Sequence, residues 1–161
     1  MKARATTLAD PASAAAYEAD FYTWTQEQGA RLRTGDLDAL DRANLAEEIE
    51  SLGRSQFDRL VSAWRIVLLH MLKVDYQPSR RTRSWAISIA AHRDNAADIL
   101  ADNPGLRRRV GEAIERAYRG ARLEASKETR LPLMRYPASC SYTHDEIVHR
   151  AFAIDPDDGT P

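Results

Sequence analysis

At 161 residues, with 29% charged and 43% hydrophobic side chains, the chain is long enough to bury one core and too evenly composed for wholesale disorder. Its single cysteine, Cys140, excludes an intramolecular disulfide and a multi-cysteine zinc site. The net charge of −1 hides a polarity: residues 1–77 hold 9 Lys/Arg and 12 Asp/Glu, residues 78–135 hold 13 and 7, and residues 136–161 hold 1 and 5, so a basic local face is expected from the later helices.

Alanine, leucine, glutamate and arginine dominate, and no stretch alternates with the period of two and the β-branched enrichment of a strand. The expected fold is all-α. A flexible N-terminus is expected over residues 1–12, a single helical-bundle domain over 13–154, and an acidic, breaker-rich tail over 155–161. The first helix is expected from Ser13 as cap, with Tyr17, Phe21, Trp24, Gln28 and Leu32 at spacings of three and four, and an end at Gly35. A second helix follows from a cap at Asp36 or Asp41 to about Val74. Its first half presents Leu45, Ile49 and Leu52 and its second half Phe57, Leu60, Trp64, Val67, Leu68 and Met71. The two stripes are rotated by roughly 90° at 100° per residue. The helix must therefore break near Gly53 or meet different neighbours at its two ends.

Pro78 stops that element, and Thr82 or Ser84 opens a third helix with Trp85, Ile89, His92, Ala96, Ile99 and Leu100 on one face. Asn103-Pro104 is expected to close this helix and open a fourth, with Asn103 as cap, Pro104 at its first position, and Leu106, Val110, Ile114, Ala117, Tyr118 and Ala121 inward. An extended proline-containing segment through Pro132 and Pro137 then lies over the bundle, and Thr143-His144-Asp145-Glu146 is a capping box opening a short helix through Phe152. Helices of this length with short connections point to a mostly antiparallel four-helix bundle with a short C-terminal helix.

Two blocks are distinctive: Asn44-Leu45-Ala46-Glu47-Glu48-Ile49-Glu50-Ser51-Leu52-Gly53 and Gln77-Pro78-Ser79-Arg80-Arg81-Thr82-Arg83-Ser84-Trp85. In these the chain resembles the bacterial family catalogued as domain of unknown function 29, over residues 17–152. The resemblance implies a small helical protein and brings no activity, substrate or cofactor with it.

Among polar residues, His92 stands out on the apolar stripe of the third helix, either as a hydrogen-bonded core histidine or as a ligand or base facing a pocket. Glu48 and His70 are its candidate companions. They are 22 residues apart in the sequence, about 33 Å along one straight helix, so at most one of them joins His92. Arg80, Arg81, Arg83 and Trp85 form a candidate anion-binding cluster, and Arg107-Arg108-Arg109 forms a second basic cluster expected at the opposite end of a simple bundle. The acidic run Glu47-Glu48-x-Glu50 suits the positive end of a helix. Only Glu146-Ile147-Val148-His149 matches the Glu-x-x-His pattern of diiron bundles, and neither a nucleophile motif nor a glycine-rich phosphate loop is present. Cys140 reads as a packing residue.

No metal or cofactor is expected, and catalysis is left open with the balance against it. The leading expectation is a helical bundle acting through protein contacts, as a homodimer or with another protein. A small-ligand or metal-binding bundle around His92 is the first alternative, and a nucleic-acid binder using the arginine cluster is the less favoured second. The lone cysteine, the lack of a secretory apolar stretch and a longest aliphatic run of only residues 66–69 read as cytoplasmic, with no membrane partner.

Overall fold

The computed structural model describes residues 16–153, and every regular element among them is helical. A helical turn at residues 16–19 precedes α1 (Phe21–Thr34). There follow α2 (Arg42–Tyr76), α3 (Arg83–Asp102), α4 (Val110–Thr129) and the short α5 (His144–His149), with tight 3-10 turns at Pro78–Arg80, Pro104–Arg109 and Leu133–Arg135. The all-α expectation holds. Ser13 and the two expected flexible ends lie outside the described residues. The chain divides into two compact units, residues 1–54 and 55–161, and α2 carries residues of both.

Several helix ends follow local chemistry. Gly35 closes α1 at φ 77°, a left-handed conformation that costs glycine nothing, and its N–H returns to the carbonyls of Arg31 and Leu32. Asp41 is the cap of α2: its carboxylate accepts the Asn44 N–H at 3.3 Å and the Asn44 side-chain amide at 2.8 Å. Thr143 and Glu146 form the complete capping box at α5. Two ends differ from expectation. The first helix is interrupted at Asp20, whose side chain caps Thr23 and starts α1 afresh. Asn103 caps nothing ahead of it; its amide folds back on the Ile99 carbonyl at 3.0 Å, and Pro104 opens a 3-10 turn, so that α4 begins only at Val110.

Residues 16–54 form a helical hairpin. Tyr17 hydroxyl donates to Glu48 at 2.5 Å, Trp24 Nε1 to Asp41 at 3.3 Å, and the Asp41 N–H to Gln28 Oε1 at 2.9 Å, so α1 runs antiparallel to the first part of α2. Trp24, Gln28 and Asp41 are buried as one polar knot, while Tyr17, Phe21 and Trp24 pack edge-on or stacked at 4.9–5.8 Å.

In residues 55–161 the second part of α2 packs with α3 and α4 in an up-down-up order. Arg116 pairs with Asp58, Arg65 with Glu124 and Lys73 with Glu128. These partners advance together along α2 and α4, which are therefore parallel, with α3 antiparallel to both. The core holds Leu60, Val67, Leu68, Met71 and Leu72 from α2, Ile89, Ala96 and Ile99 from α3, and Ala113, Ala117, Tyr118 and Ala121 from α4. Each large aliphatic side chain taken out of water there contributes about 1.5–3 kcal/mol. The small alanines of α4 allow close helix approach, and the Arg65 stem lies over Gly120, where an added Cβ would come within 2.9 Å of it.

The segment after α4 has few backbone partners of its own, and side chains of the helices supply them. Arg122 donates to the carbonyls of Leu133 and Tyr136, Tyr118 to that of Pro137, and Ser126 to that of Leu131. Buried Tyr136 shares a 2.6 Å hydrogen bond with Thr129. Asp75 then receives Arg150 through both carboxylate oxygens, at 2.9 and 2.6 Å, and the Tyr142 hydroxyl at 2.7 Å. The two donors hold the Asp75 carboxyl below its ordinary range although burial pushes the other way. Arg93 completes the pinning by donating to the carbonyls of Ile147, Arg150 and Glu146 at 2.6, 2.8 and 3.1 Å.

Candidate functional site

His92 is half-buried and lines an open groove of about 450 Å³ between α2 and α3, with Asp58, Arg59, Ser62, Arg65 and Asn95 among its walls. The Ser88 carbonyl, 2.9 Å from Nδ1, can only accept. Nδ1 therefore donates to it, and in the neutral ring Nε2 is left with a lone pair. The wall is polar but largely self-satisfied. Arg65 is engaged by Glu124, Asp58 by Arg116, and Arg59 by Gln56.

The companions named beside His92 are placed differently. Glu48 belongs to the 16–54 hairpin, where the Tyr17 phenol engages it and is itself pushed up to about 12 by that hydrogen bond. His70 lies in the same unit as His92, against Trp85 at 6.4 Å between ring centres. Its Nδ1 is buried without a partner. Burial, with the Lys73 cation and more weakly His92 adding to it and Glu128 opposing, lowers its pKa from 6.5 to about 4, so the ring is neutral near pH 7. A half-buried neutral imidazole whose Nδ1 lacks a hydrogen bond is a packing residue first.

The arginine cluster sits on the α2–α3 connection. Arg80, Arg81 and Arg83 are exposed, and Arg81 Nε donates to the Val74 carbonyl at 3.2 Å. Trp85 is half-buried and already carries the Lys73 ammonium 4.4 Å from its ring centre, which occupies a surface that a stacked base would need. Arg109 instead lies 3.8 Å over Phe57 and pairs with Glu112. The anchor points Phe57 and Val74 stand 17 residues apart on α2, about 25 Å. The two basic clusters are thus separated by about 25 Å along the second part of α2. Cys140 is half-buried and burial raises its thiol pKa, which suits packing rather than nucleophilic chemistry.

The residues that sequence reasoning misjudged are apolar. Ile49 and Leu52, expected on an inward stripe, are each 67% exposed, and Phe21 and Leu32 of α1 are 50% and 52% exposed. Phe21 and Leu32 are eleven positions apart, about 20° in helical rotation. They sit roughly 50° to one side of the line through Trp24 and Gln28, and Ile49 and Leu52 sit roughly 60° to the same rotational side of the line through Asp41 and Glu48. Because the helices are antiparallel, equal rotation carries both pairs to the same side of the hairpin. Half-buried Leu45 falls between them. The outcome is an apolar face on residues 16–54. The periodicity signalled that such a stripe exists, but could not say whether anything in the chain covers it.

Among the described residues no group of three or more His, Cys, Asp or Glu is placed to hold a metal ion, and no helix is long and apolar enough to cross a membrane. Neither a curated protein nor a solved structure matches the chain. A family model matches residues 16–153, from the helical turn before α1 to the residue after Phe152. The chain belongs to the family described as Domain of unknown function DUF29.

Proposed function

We propose that the chain acts through protein contacts, with the apolar face of the 16–54 hairpin as its binding surface. One observation carries this reading: four large apolar side chains, Phe21, Leu32, Ile49 and Leu52, each at least half exposed on one side of two paired helices. Single exposed leucines are ordinary on a protein surface, whereas several large apolar side chains along one side of two paired helices support a contact site. A photo-crosslinking residue introduced at Leu52 should give a discrete protein adduct in cells, and one at exposed Ala97 of α3 should not. The same yield from both positions, or none from Leu52, refutes the reading.

A second reading, a small-ligand site, is favoured by the open groove that the His92 ring lines. Native mass spectrometry of untagged protein, with elemental analysis, tests it. A stoichiometric added mass that His92→Ala abolishes supports a site, and an unliganded wild type removes it.

A further inference from the structure

The groove that His92 lines has two unlike ends. On α2 its wall carries Arg59, Ser62 and Ile66 at spacings of three and four, which puts them on one side of the helix, the outer two about 10 Å apart along its axis. α3 runs the opposite way, since Trp85 near its start meets Lys73 near the end of α2. Asn95 therefore belongs to the Arg59 end of the groove and His92 to the Ile66 end. Charge divides along the same line. Of the charged wall residues, Asp58 is engaged by Arg116 and Arg65 by Glu124. Arg59 has no described carboxylate at ion-pair distance, and its guanidinium donates to the neutral Gln56 amide, at 2.9 Å. The Ser62 hydroxyl and the Asn95 amide are exposed and make no hydrogen bond to a described residue. Toward the other end the wall is apolar or aromatic: Ala63 is buried, and Ile66 and the His92 ring are half-buried.

We infer that the groove binds a small organic carboxylate, its anionic head on Arg59, Ser62 and Asn95 and its apolar body along Ala63, Ile66 and the His92 ring. This rests on the small-ligand reading above and names the class of ligand. A guanidinium presents parallel N–H donors that match the two oxygens of a carboxylate, and a hydroxyl and an amide supply the neutral donors beside it. One guanidinium without an acidic partner balances a single negative charge, whereas a phosphate monoester carries close to two near pH 7. A bare inorganic anion would leave the apolar end of the groove unused. The volume, about 450 Å³, lies in the range of small-molecule sites, where apolar walls hold the body of a ligand and a small number of polar groups fix its orientation.

The experiment uses the full chain, followed by two-dimensional NMR during titration with phenylpropanoate, with the neutral alcohol phenylpropanol as a probe of matched shape. The acid should give saturable shifts centred on Arg59, Ser62, Asn95 and His92, with a dissociation constant of about 1 mM or tighter. The alcohol should bind at least about tenfold more weakly. Arg59→Gln should lose about tenfold in affinity for the acid and keep that for the alcohol, while Arg108→Gln, an exposed arginine on the turn before α4, changes neither. The comparison of acid with alcohol needs no variant, so it stands even if Arg59→Gln fails to fold. Equal affinity for acid and alcohol, or unchanged affinity for the acid in Arg59→Gln, overturns the carboxylate and leaves the groove to a neutral ligand. Inorganic phosphate that displaces the acid at equal concentration overturns the organic body. If no probe gives a saturable shift at the groove, the proposal falls, and the small-ligand reading is then decided separately by the mass of the native protein.

Discussion

Replacing Arg93 with methionine tests how the C-terminal segment is held. The side chain is half-buried in α3 and its three donors reach the carbonyls of Glu146, Ile147 and Arg150, which close the C-terminal end of α5. Burial and the nearby Arg150 cation both lower its pKa, so its charge is held at a cost that the three hydrogen bonds must exceed. A hydrogen bond to a charged group contributes roughly 1.5–3 kcal/mol when its loss leaves a partner unsatisfied. Three would suggest more than is expected here, because the removed guanidinium no longer pays its desolvation cost and water can reach one or two of the carbonyls. The net loss should be about 2–4 kcal/mol, and a domain of this size then melts roughly 5–12 °C lower. Arg93→Lys should fall between, since one ammonium cannot match a fork of three donors. Calorimetry gives the melting shift. Hydrogen exchange locates it, since the Ile147 and Arg150 amides, bonded to the Thr143 and Glu146 carbonyls, should lose protection ahead of the α4 core. A melting shift below about 2 °C, with exchange at those two amides unchanged, would show that Arg93 is dispensable and that the segment is held by the Asp75 contacts and by Tyr136 and Ile147 packing.

Three further outcomes follow from particular residues. His70 has a folded pKa of about 4 against an ordinary 6.5, so between those values the unfolded chain binds the extra proton and stability is lost as pH falls through that window. Relative to wild type, His70→Phe should gain on the order of 2 kcal/mol across it, somewhat less than the full linkage value because the ring keeps some access to water; a constant offset in urea midpoints at all pH values defeats this. Gly53→Ala should stabilise by about 0.8–1 kcal/mol, since it lies within α2 and a Cβ meets nothing there, whereas Gly35→Ala at φ 77° should cost a similar amount. A loss of stability in Gly53→Ala would mean that α2 needs a joint at that position.

The elements were legible wherever the signal was local. The Gly35 stop, the Asp41 cap, the Thr143/Glu146 box and the inward faces of α3 and α4 each depend on residues within one or two turns, and each appears where the pattern placed it. Asn103-Pro104 closes α3 where the pattern placed it but misled as the opening of the next helix: the Ile99 carbonyl claims the asparagine amide, Pro104 opens a 3-10 turn, and α4 begins only at Val110. The change of stripe near Gly53 was visible as a rotation. It is met by a helix that runs unbroken through the glycine while the boundary between units falls at Arg54 and Ser55. Less was legible of the candidate sites. His92 was marked by its position on a stripe, but its half-exposure and the groove beside it depend on how α2 and α3 pack. The Lys73 cation over Trp85 joins residues twelve positions apart on different helices, and no spacing rule reaches it. Arg93, Arg122 and Asp75 were not singled out at all, because lone charged residues on helices look like solvated surface until the chain folds back over them.

Arg93, Tyr118 and Arg122 pin residues 131–150 through main-chain carbonyls, and this divides the freedom to vary unequally between donor and acceptor. A carbonyl is the same whichever side chain accompanies it. Leu133 and Pro137 could change identity without removing the oxygens that Arg122 and Tyr118 hold. The donors have no such latitude, since each loss frees one or more contacts at once. Exposed Met134, Ala138 and Ser139 lie along this tethered stretch. They are the places where new surface chemistry could be introduced, by natural drift or by design, while the scaffold beneath keeps its shape.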